Sequence, residues 1–359
     1  MVDAELGPAP LVRRPRSMVK RIKLAARYTW PVAHWHRRAK RLAIRRAGSE
    51  LVAVRRLPPA SAHAIIVVAC MRDESIRLPD FLRHYRELGV DRFILIDNLS
   101  RDGSRELALA EPDVELYTAH GSYAGSAFGT DWVMWCIQST GLGRWYLVAD
   151  IDELLVYDRC GEFDLMRLAE RLEKKGSTAL PALMLDMYGD QPLATTHLAA
   201  GGRLIDTCPL FDGFYRRDET ALRDPCARRK CVDYLGGPRA RVFSLPGRPF
   251  YGLLAKTPLM RWGSETLYPN AHLAYPYEQN FLADRGCLLH FKFLSDFHDR
   301  AVAAVSHGEH WLGSKEYRHY LEVLKLRPNL SLAFEGSLRY RGPESLVAAG
   351  LMPAMDWKQ

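Results

Sequence analysis

The chain has 359 residues, of which 48% are hydrophobic and 26% are charged, so it is long enough to bury a sizeable core. No apolar run approaches the length that spans a bilayer, and the basic N-terminus lacks the apolar core of a secretory signal, so we expect a cytoplasmic protein. The seven cysteines are odd in number and scattered, which favours reduced thiols over a disulfide framework.

The net charge of +8 is concentrated in an N-terminal arm, residues 1–60. The arm holds 15 Lys and Arg against 3 Asp and Glu, whereas the remaining residues hold 35 against 39. Trp30, Trp35, Leu42 and Ile44 lie among these cations. Cations with interfacial tryptophans suit a helix on an anionic membrane, which predicts peripheral contact at the inner face of the cytoplasmic membrane. A helical arm that packs on the body fits equally well, and we do not expect nucleic acid as a partner.

Beyond Pro58-Pro59, buried strands alternate with helices. Apolar residues recur at helical spacing across residues 71–89, which predicts the first helix, and Gly89 ends it. Further helices are predicted between 98 and 110 and at 126–140. Strands are predicted at 63–70, 92–97, 114–119 and 144–150. This alternation predicts an α/β fold, in which a mostly parallel sheet carries crossover helices.

Acidic side chains follow three of these strands at the point where each strand ends. They are Glu74 beside Asp73, then Asp97, and then Asp150, Asp152 and Glu153. Because ligands bind beyond the carboxyl ends of parallel strands, these acids predict a binding site at that edge of the sheet.

Asp150 and Asp152 are separated by one residue, so on an extended chain both carboxylates point to the same side. Two carboxylates held in this way suit a hard divalent cation, Mn²⁺ or Mg²⁺, which keeps positions for water or phosphate. The alternative is a loop of solvated acids at a strand end, in which Glu153 caps a helix.

The alternation loosens after residue 155. Helices are predicted near 162–175, 295–307 and 314–325. A further strand ends at Asp186. Residues 190–275 are rich in Gly, Pro and Arg, which favours loops and antiparallel strands that shape a pocket. In the late apolar segment, His290 and Lys292 alternate with apolar side chains and share one face.

Two stretches, "MRDESIRLPDFLRHYRELGVDRFILIDNLSRDGSRE" and "WYLVADIDELLV", resemble the family 2-like glycosyltransferases of GT-A fold. They are most similar to the bacterial branch with DNxSxDGS and DxDE motifs, and the resemblance covers about 65–190. "IDNLSRDGS" corresponds to the family's "DDGSTDGT" turn, with Asn98 and Leu99 in place of its second Asp and first Gly. Asp73-Glu74 stands where the family usually has Asn-Glu.

The resemblance implies a GT-A-type, Rossmann-like fold and a metal-dependent glycosyltransferase. Such an enzyme moves a sugar from a nucleotide-diphosphate donor to an acceptor hydroxyl, with inversion. The acceptor would be a glycan or a lipid-linked glycan in cell-surface polysaccharide or lipopolysaccharide synthesis. It also implies a division into the arm, a nucleotide-sugar-binding half (61–190) and an acceptor-side half with C-terminal helices (191–359).

The resemblance also implies a role for individual residues. Asp97 would contact the nucleoside, and Glu74 would line the same pocket. Asp150 would lie towards the ribose or the metal. Asp152 would bind the metal, with His290 as a third ligand. Lys292 would lie near the diphosphate. The alternative for Asp97 is a turn acid that bonds its own backbone, with Asp102 capping the next helix.

An inverting transfer needs a base that removes the proton of the acceptor hydroxyl. Asp186 is the first candidate, and Glu153 and Asp190 are weaker ones. The alternative for Asp186 is a structural acid that holds an arginine of residues 203–241. Two other functions use the same features. A phosphohydrolase or nucleotidyltransferase can carry an Asp-x-Asp metal site, and a non-catalytic binding protein would act through the basic arm.

Overall fold

The computed structural model describes residues 30–224, 227–250 and 252–358. The predictions for residues 1–29 of the arm lie outside this part of the chain. The helices are α1 Trp30–Ala47, α2 Leu78–Glu87, α3 Ser104–Ala110, α4 Thr130–Thr140, α5 Leu165–Lys174, α6 Leu204–Thr207, α7 Gly237–Val242, α8 Phe297–His307, α9 Trp311–Leu326 and α10 Pro343–Ala348. Short 3-10 turns occupy Gly48–Glu50, Leu193–Thr195 and Tyr277–Phe281.

The strands are β1 Leu51–Arg55, β2 Ile66–Met71, β3 Arg92–Asp97, β4 Val114–Ala119, β5 Trp145–Val148, β6 Glu153–Val156, β7 Ala179–Tyr188, β8 Leu210–Asp212, β9 Tyr215–Asp224, β10 Ala227–Gly236, β11 Ala255–Arg261, β12 Leu267–Asn270, β13 Leu273–Tyr275, β14 Gly286–Phe293 and β15 Ser337–Arg339. Two antiparallel pairs, β9 with β10 and β12 with β13, stand apart from the main sheet.

Eleven of the described strands form one sheet in the order β1-β4-β3-β2-β5-β11-β7-β14-β6, with β8 joining β7 to β15 beside this path. β4, β3, β2 and β5 run parallel, as do β7 and β14. β1, β6, β8 and β11 run against their neighbours, so seven of the eleven strands point the same way. The predicted α/β fold is confirmed, with its mostly parallel sheet, crossover helices and later antiparallel and helical additions.

The sheet carries a core on each face, because alternate residues of a strand point to opposite sides. On β2, Val67 and Ala69 pack into the core that includes α2 and α5, whereas Ile66 and Val68 face the core built with α4 and α1. A third, aromatic cluster fixes α8 and α9 against the ends of β7 and β14. Its largest members are Tyr188, Phe243, Phe293, Phe297 and Tyr320.

The described part of the arm packs on the body. Ile44 and Ala47 of α1 are buried, and the Lys40 ammonium lies 2.6 Å from the carboxylate of Asp131 on α4. Residues 51–55, which the sequence assigned to the arm, add β1 to the edge of the sheet. Contact with an anionic membrane stays a prediction. Across the described residues, no helix combines the length and the apolarity that crossing a membrane requires.

Candidate functional site

Three parallel strands bring the predicted acids to one edge of the sheet. Met71 at the end of β2 pairs in register with Asp97 at the end of β3, and Val68 pairs with Val148 at the end of β5. The chain segments that follow β2, β3 and β5 therefore start from the same edge. A cavity opens between the ends of β2 and β5, where the chain connections run in opposite directions, and Asp150 lies in its wall. Such switch points are the usual ligand sites of α/β sheets.

The segment 149–152 is a turn between β5 and β6. Glu153 closes it twice, because its backbone N–H donates to the Asp150 carbonyl at 2.9 Å and its carboxylate accepts the Asp150 N–H at 3.1 Å. The backbone is therefore not extended here as the sequence predicted, and the carboxylates of Asp150 and Asp152 have different partners. Glu153 begins a strand, so the alternative in which it caps a helix is wrong.

Lys256 of β11 binds two acids of this turn. Its ammonium lies 2.8 Å from the Asp150 carboxylate and 2.5 Å from that of Glu153. Burial alone would lower the pKa of Lys256, but the two carboxylates raise it, so the side chain stays charged. Burial raises the pKa of Glu153. Glu153 has no exposed oxygen for an acceptor hydroxyl, so the structure gives it a structural role instead of the predicted catalytic one.

Asp152 meets His290 at this edge. Nε2 of His290 lies 3.5 Å from Oδ2 of Asp152, and Nδ1 lies 2.6 Å from Oδ1 of Asp186. Although burial would raise the pKa of Asp152, His290 and two nearby arginines hold it well below its usual range. Burial lowers the pKa of His290, but the two carboxylates outweigh it and raise the pKa to about 9. The predicted residues Asp152 and His290 are thus brought together.

Asp186 is fully buried, and both of its oxygens have partners. Oδ1 faces His290, and Oδ2 accepts a hydrogen bond of 2.7 Å from Nε of Arg239. Burial opposes ionisation, yet Arg239 and His290 lower the pKa of Asp186 to about 2. A fully buried carboxylate whose two oxygens are occupied cannot reach an acceptor hydroxyl. The prediction of Asp186 as the base is therefore corrected, and the alternative, an acid that holds an arginine, is what the structure has.

Glu74 forms an ion pair with an arginine of α8. The two guanidinium nitrogens of Arg300 lie 2.6 and 2.8 Å from its carboxylate oxygens. Burial raises the pKa of Glu74, although Arg300 and Arg77 draw it down. Its carboxylate therefore binds Arg300. The prediction that it lines an open pocket was wrong. Sequence reasoning missed Arg300, because nothing near it in the chain marks it as a site residue.

Asp97 forms a hydrogen bond through one carboxylate oxygen and a longer ion pair through the other. Its Oδ1 accepts the backbone N–H of Ser100 at 3.0 Å, as the turn-acid alternative predicts. Its Oδ2 is buried and finds no hydrogen-bond partner in the described part of the chain, with Arg105 at 3.9 Å. A buried acceptor without a hydrogen bond costs about 1–3 kcal/mol, and the nearby guanidinium of Arg105 offsets part of this cost. Contact between Asp97 and a nucleoside stays a prediction. Asp102 accepts the N–H of Ser104, which begins α3, but the N-cap position is Gly103, so the predicted cap was one residue off.

Lys292 faces α9. Its ammonium lies 3.4 Å from the carboxylate of Glu316. It also lies over two aromatic rings, 4.8 Å from the centre of the Tyr317 ring and 5.0 Å from that of Tyr320. The predicted contact with a diphosphate stays a prediction. Asp190, the remaining candidate base, forms an exposed ion pair with Arg339.

The donor set at this edge fits a divalent metal, although not with the predicted three ligands. Within the described ranges, no three His, Cys, Asp or Glu side chains are arranged to hold a metal ion, so Asp150 does not join Asp152 and His290. The 3.5 Å between Asp152 Oδ2 and His290 Nε2 is close to the ~3.0–3.4 Å between neighbouring ligands on one metal with bonds of about 2.1 Å. Mg²⁺ is commonly held by one or two protein groups, with water and phosphate completing the shell.

Comparison with known proteins adds little to this geometry. No family model and no curated protein matches the chain. A crystal structure of 4-diphosphocytidyl-2C-methyl-D-erythritol synthase is similar over 35% of this chain and 63% of its own, with 18% identity and a TM-score of 0.24. UDP-glucose pyrophosphorylase from Acinetobacter baumanii is similar over 38% and 60%, with 12% identity and a TM-score of 0.21. The chain spans less than two thirds of either structure, and TM-scores this low carry no argument about activity.

Proposed function

We propose that this protein is a metal-dependent glycosyltransferase that moves a sugar from a nucleoside-diphosphate donor to an acceptor hydroxyl. The observation that carries the proposal is the pair Asp152 and His290, whose ligand atoms lie 3.5 Å apart at the carboxyl edge of an α/β sheet. The sequence resemblance to family 2-like glycosyltransferases supports the choice of reaction, and it alone supports a glycan or lipid-linked acceptor.

In this proposal Asp152 and His290 hold Mn²⁺ or Mg²⁺. When bound, a divalent ion supplies the positive charge that stabilises a departing nucleoside diphosphate. The sequence resemblance supports Asp97, at the end of β3, as the residue that contacts the nucleoside. Arg300 and Lys292 add positive charge near Asp152, which favours a diphosphate at the same edge.

The acceptor side needs a carboxylate that solvent and substrate can reach. The side chain of Asp150 is 57% exposed, whereas those of Asp152 and Glu153 are 12% and 1% exposed. We therefore propose Asp150 as the base that removes the proton of the acceptor hydroxyl in an inverting transfer. Lys256 orients this carboxylate through the contact of 2.8 Å.

Thermal unfolding with a panel of nucleoside diphosphates, with and without Mn²⁺, tests the binding half of the proposal. At 100 times its dissociation constant, the cognate nucleotide with Mn²⁺ should stabilise the protein by about 2.7 kcal/mol through linkage. Asp152→Asn should lose the Mn²⁺-dependent part of this gain. Asp190→Asn, which alters an exposed acid outside the pair, should keep it.

Two results would contradict the proposal. One is a panel in which no nucleoside diphosphate stabilises the protein more with Mn²⁺ than without it. The other is an Asp152→Asn variant that responds to Mn²⁺ and nucleotide as the parent does.

A further inference from the structure

Asp186 stands directly behind the proposed metal ligand. It lies opposite His290 on the neighbouring parallel strand, and the two residues pair in register between β7 and β14. Its Oδ1 lies 2.6 Å from Nδ1 of His290. An ionised carboxylate can only accept a hydrogen bond, so the ring must carry a hydrogen on Nδ1. The other ring nitrogen, Nε2, is then the atom turned towards Asp152.

Arg239 fixes Asp186 from the other side. Its Nε donates to Oδ2 at 2.7 Å, and its side chain is itself buried. With one oxygen on Arg239 and the other on His290, the carboxylate cannot rotate without losing a buried charged hydrogen bond. Such a loss costs more than a neutral one, so the orientation of Asp186 is strongly determined. The hydrogen bond to Asp186 in turn fixes the orientation of the His290 imidazole.

We propose that Asp186 is a positioning residue for a divalent cation: it fixes the ring of His290 with the hydrogen on Nδ1. A metal that displaces the proton of Nε2 into water then finds the lone pair of this atom beside Asp152. The inference rests on the proposed function for the metal itself. Carboxylates behind metal-binding histidines orient the ring and raise its basicity, and their loss usually lowers metal affinity about 10–100-fold.

A purely structural role for Asp186 is the competing explanation, because it also forms a buried ion pair. The chain holds a matched pair for comparison. Asp212 is buried, receives two hydrogen bonds from Arg241 at 2.8 and 3.0 Å, and has Tyr188 as its third partner instead of a histidine. Asp212→Asn therefore removes a comparable ion pair without touching His290.

The experiment uses Mn²⁺ alone as the probe and the full chain. Electron paramagnetic resonance of free Mn²⁺ gives the affinity, and electron spin echo modulation detects a nitrogen bound to Mn²⁺. We expect a nitrogen coupling in the parent protein that His290→Gln removes. Asp186→Asn should weaken Mn²⁺ binding about 10–100-fold and reduce the nitrogen coupling. Asp212→Asn should change neither.

The outcomes separate this inference from the proposed function. If Asp152→Asn abolishes Mn²⁺ binding while Asp186→Asn keeps the parent affinity and coupling, the positioning role is overturned and the metal site stands. If Asp152→Asn also binds as the parent does, the proposed function fails too. Should Asp186→Asn not fold, Asp186→Glu displaces the carboxylate while keeping its charge, and an undiminished coupling there overturns the inference. A parent protein without nitrogen coupling overturns it with no variant at all.

Discussion

Lys256 decides how the acids of the turn 149–152 are used. Three carboxylates, two in this turn and one at the start of β6, would repel one another, and burial would favour their neutral forms. The ammonium of Lys256 neutralises Asp150 and Glu153 through contacts of 2.8 and 2.5 Å. Asp152 is left as the acid of this turn that faces His290. Lys256 thus holds Asp150, the proposed base, and the buried Glu153, and it leaves Asp152 to the proposed metal site.

Lys256→Met should destabilise the fold. Glu153 would be left buried and charged without its cation, and breaking a buried pair from one side costs about 3–5 kcal/mol. Urea unfolding measures this loss. The control is Lys175→Met, since Lys175 pairs with Asp284 and its side chain is 35% exposed. Such a pair is worth at most about 1 kcal/mol. Equal losses in the two variants would contradict the account.

The sequence predicted which residues lie at the edge better than it predicted their partners. Asp97 and Asp152 follow from the strand ends, which are a local property, whereas His290 follows from the family resemblance. The partners do not. Arg239 is 53 residues from Asp186, Lys256 is 106 from Asp150, and Arg300 is 226 from Glu74. The order of the strands in the sheet decides which cation pairs with which acid. Local sequence patterns do not predict that order.

At the scale of elements, α8 is tied to the loop after β2 by a buried arginine. Arg77 is fully buried, and its guanidinium donates to both oxygens of Asp296 at 2.6 and 2.7 Å. Its Nε donates to the carbonyl of Phe291 on β14 at 3.1 Å. Arg77 therefore joins three elements around the proposed site, and it holds the start of α8, from which Arg300 reaches Glu74.

Arg77→Met should destabilise the protein by about 3–5 kcal/mol, because Asp296 and the carbonyl of Phe291 would lose their buried donor. Arg86→Met is the matched control. Arg86 also bonds both oxygens of an aspartate, Asp113, but its side chain is 34% exposed. We expect a loss of at most about 1 kcal/mol there. Chemical denaturation of both variants checks the difference, and a loss at Arg77 no larger than at Arg86 would refute this role.

Element boundaries show where periodicity succeeds and where it fails. β3 and β4 occupy the predicted residues, because each is a short apolar run between polar turns. The turn 149–152 was missed, since "WYLVADIDELLV" continues its apolar pattern on both sides of the acids. The two halves of that stretch belong to different places in the sheet. β5 pairs with β2 and β11, whereas β6 pairs with β14 at the far edge.

At the scale of the whole molecule, the sheet order brings the late strands to the early acids. β11, β7 and β14 continue the sheet beyond β5, and they carry Lys256, Asp186 and His290. The first half of the chain supplies carboxylates at the strand ends, and the second half supplies the groups that pair with them. The proposed site is thus complete only when both halves are folded together.

The product formed from a nucleotide sugar tests the central claim most directly. The protein is incubated with Mn²⁺, a panel of nucleotide-diphosphate sugars and glycan acceptors, and the nucleotides are separated by chromatography. A glycosyltransferase breaks the bond between sugar and diphosphate, so the account predicts release of the intact nucleoside diphosphate, which stops in Asp152→Asn. Release of a nucleoside monophosphate with a sugar phosphate would contradict it. In a parallel incubation with added pyrophosphate, formation of a nucleoside triphosphate and a sugar phosphate would contradict it too.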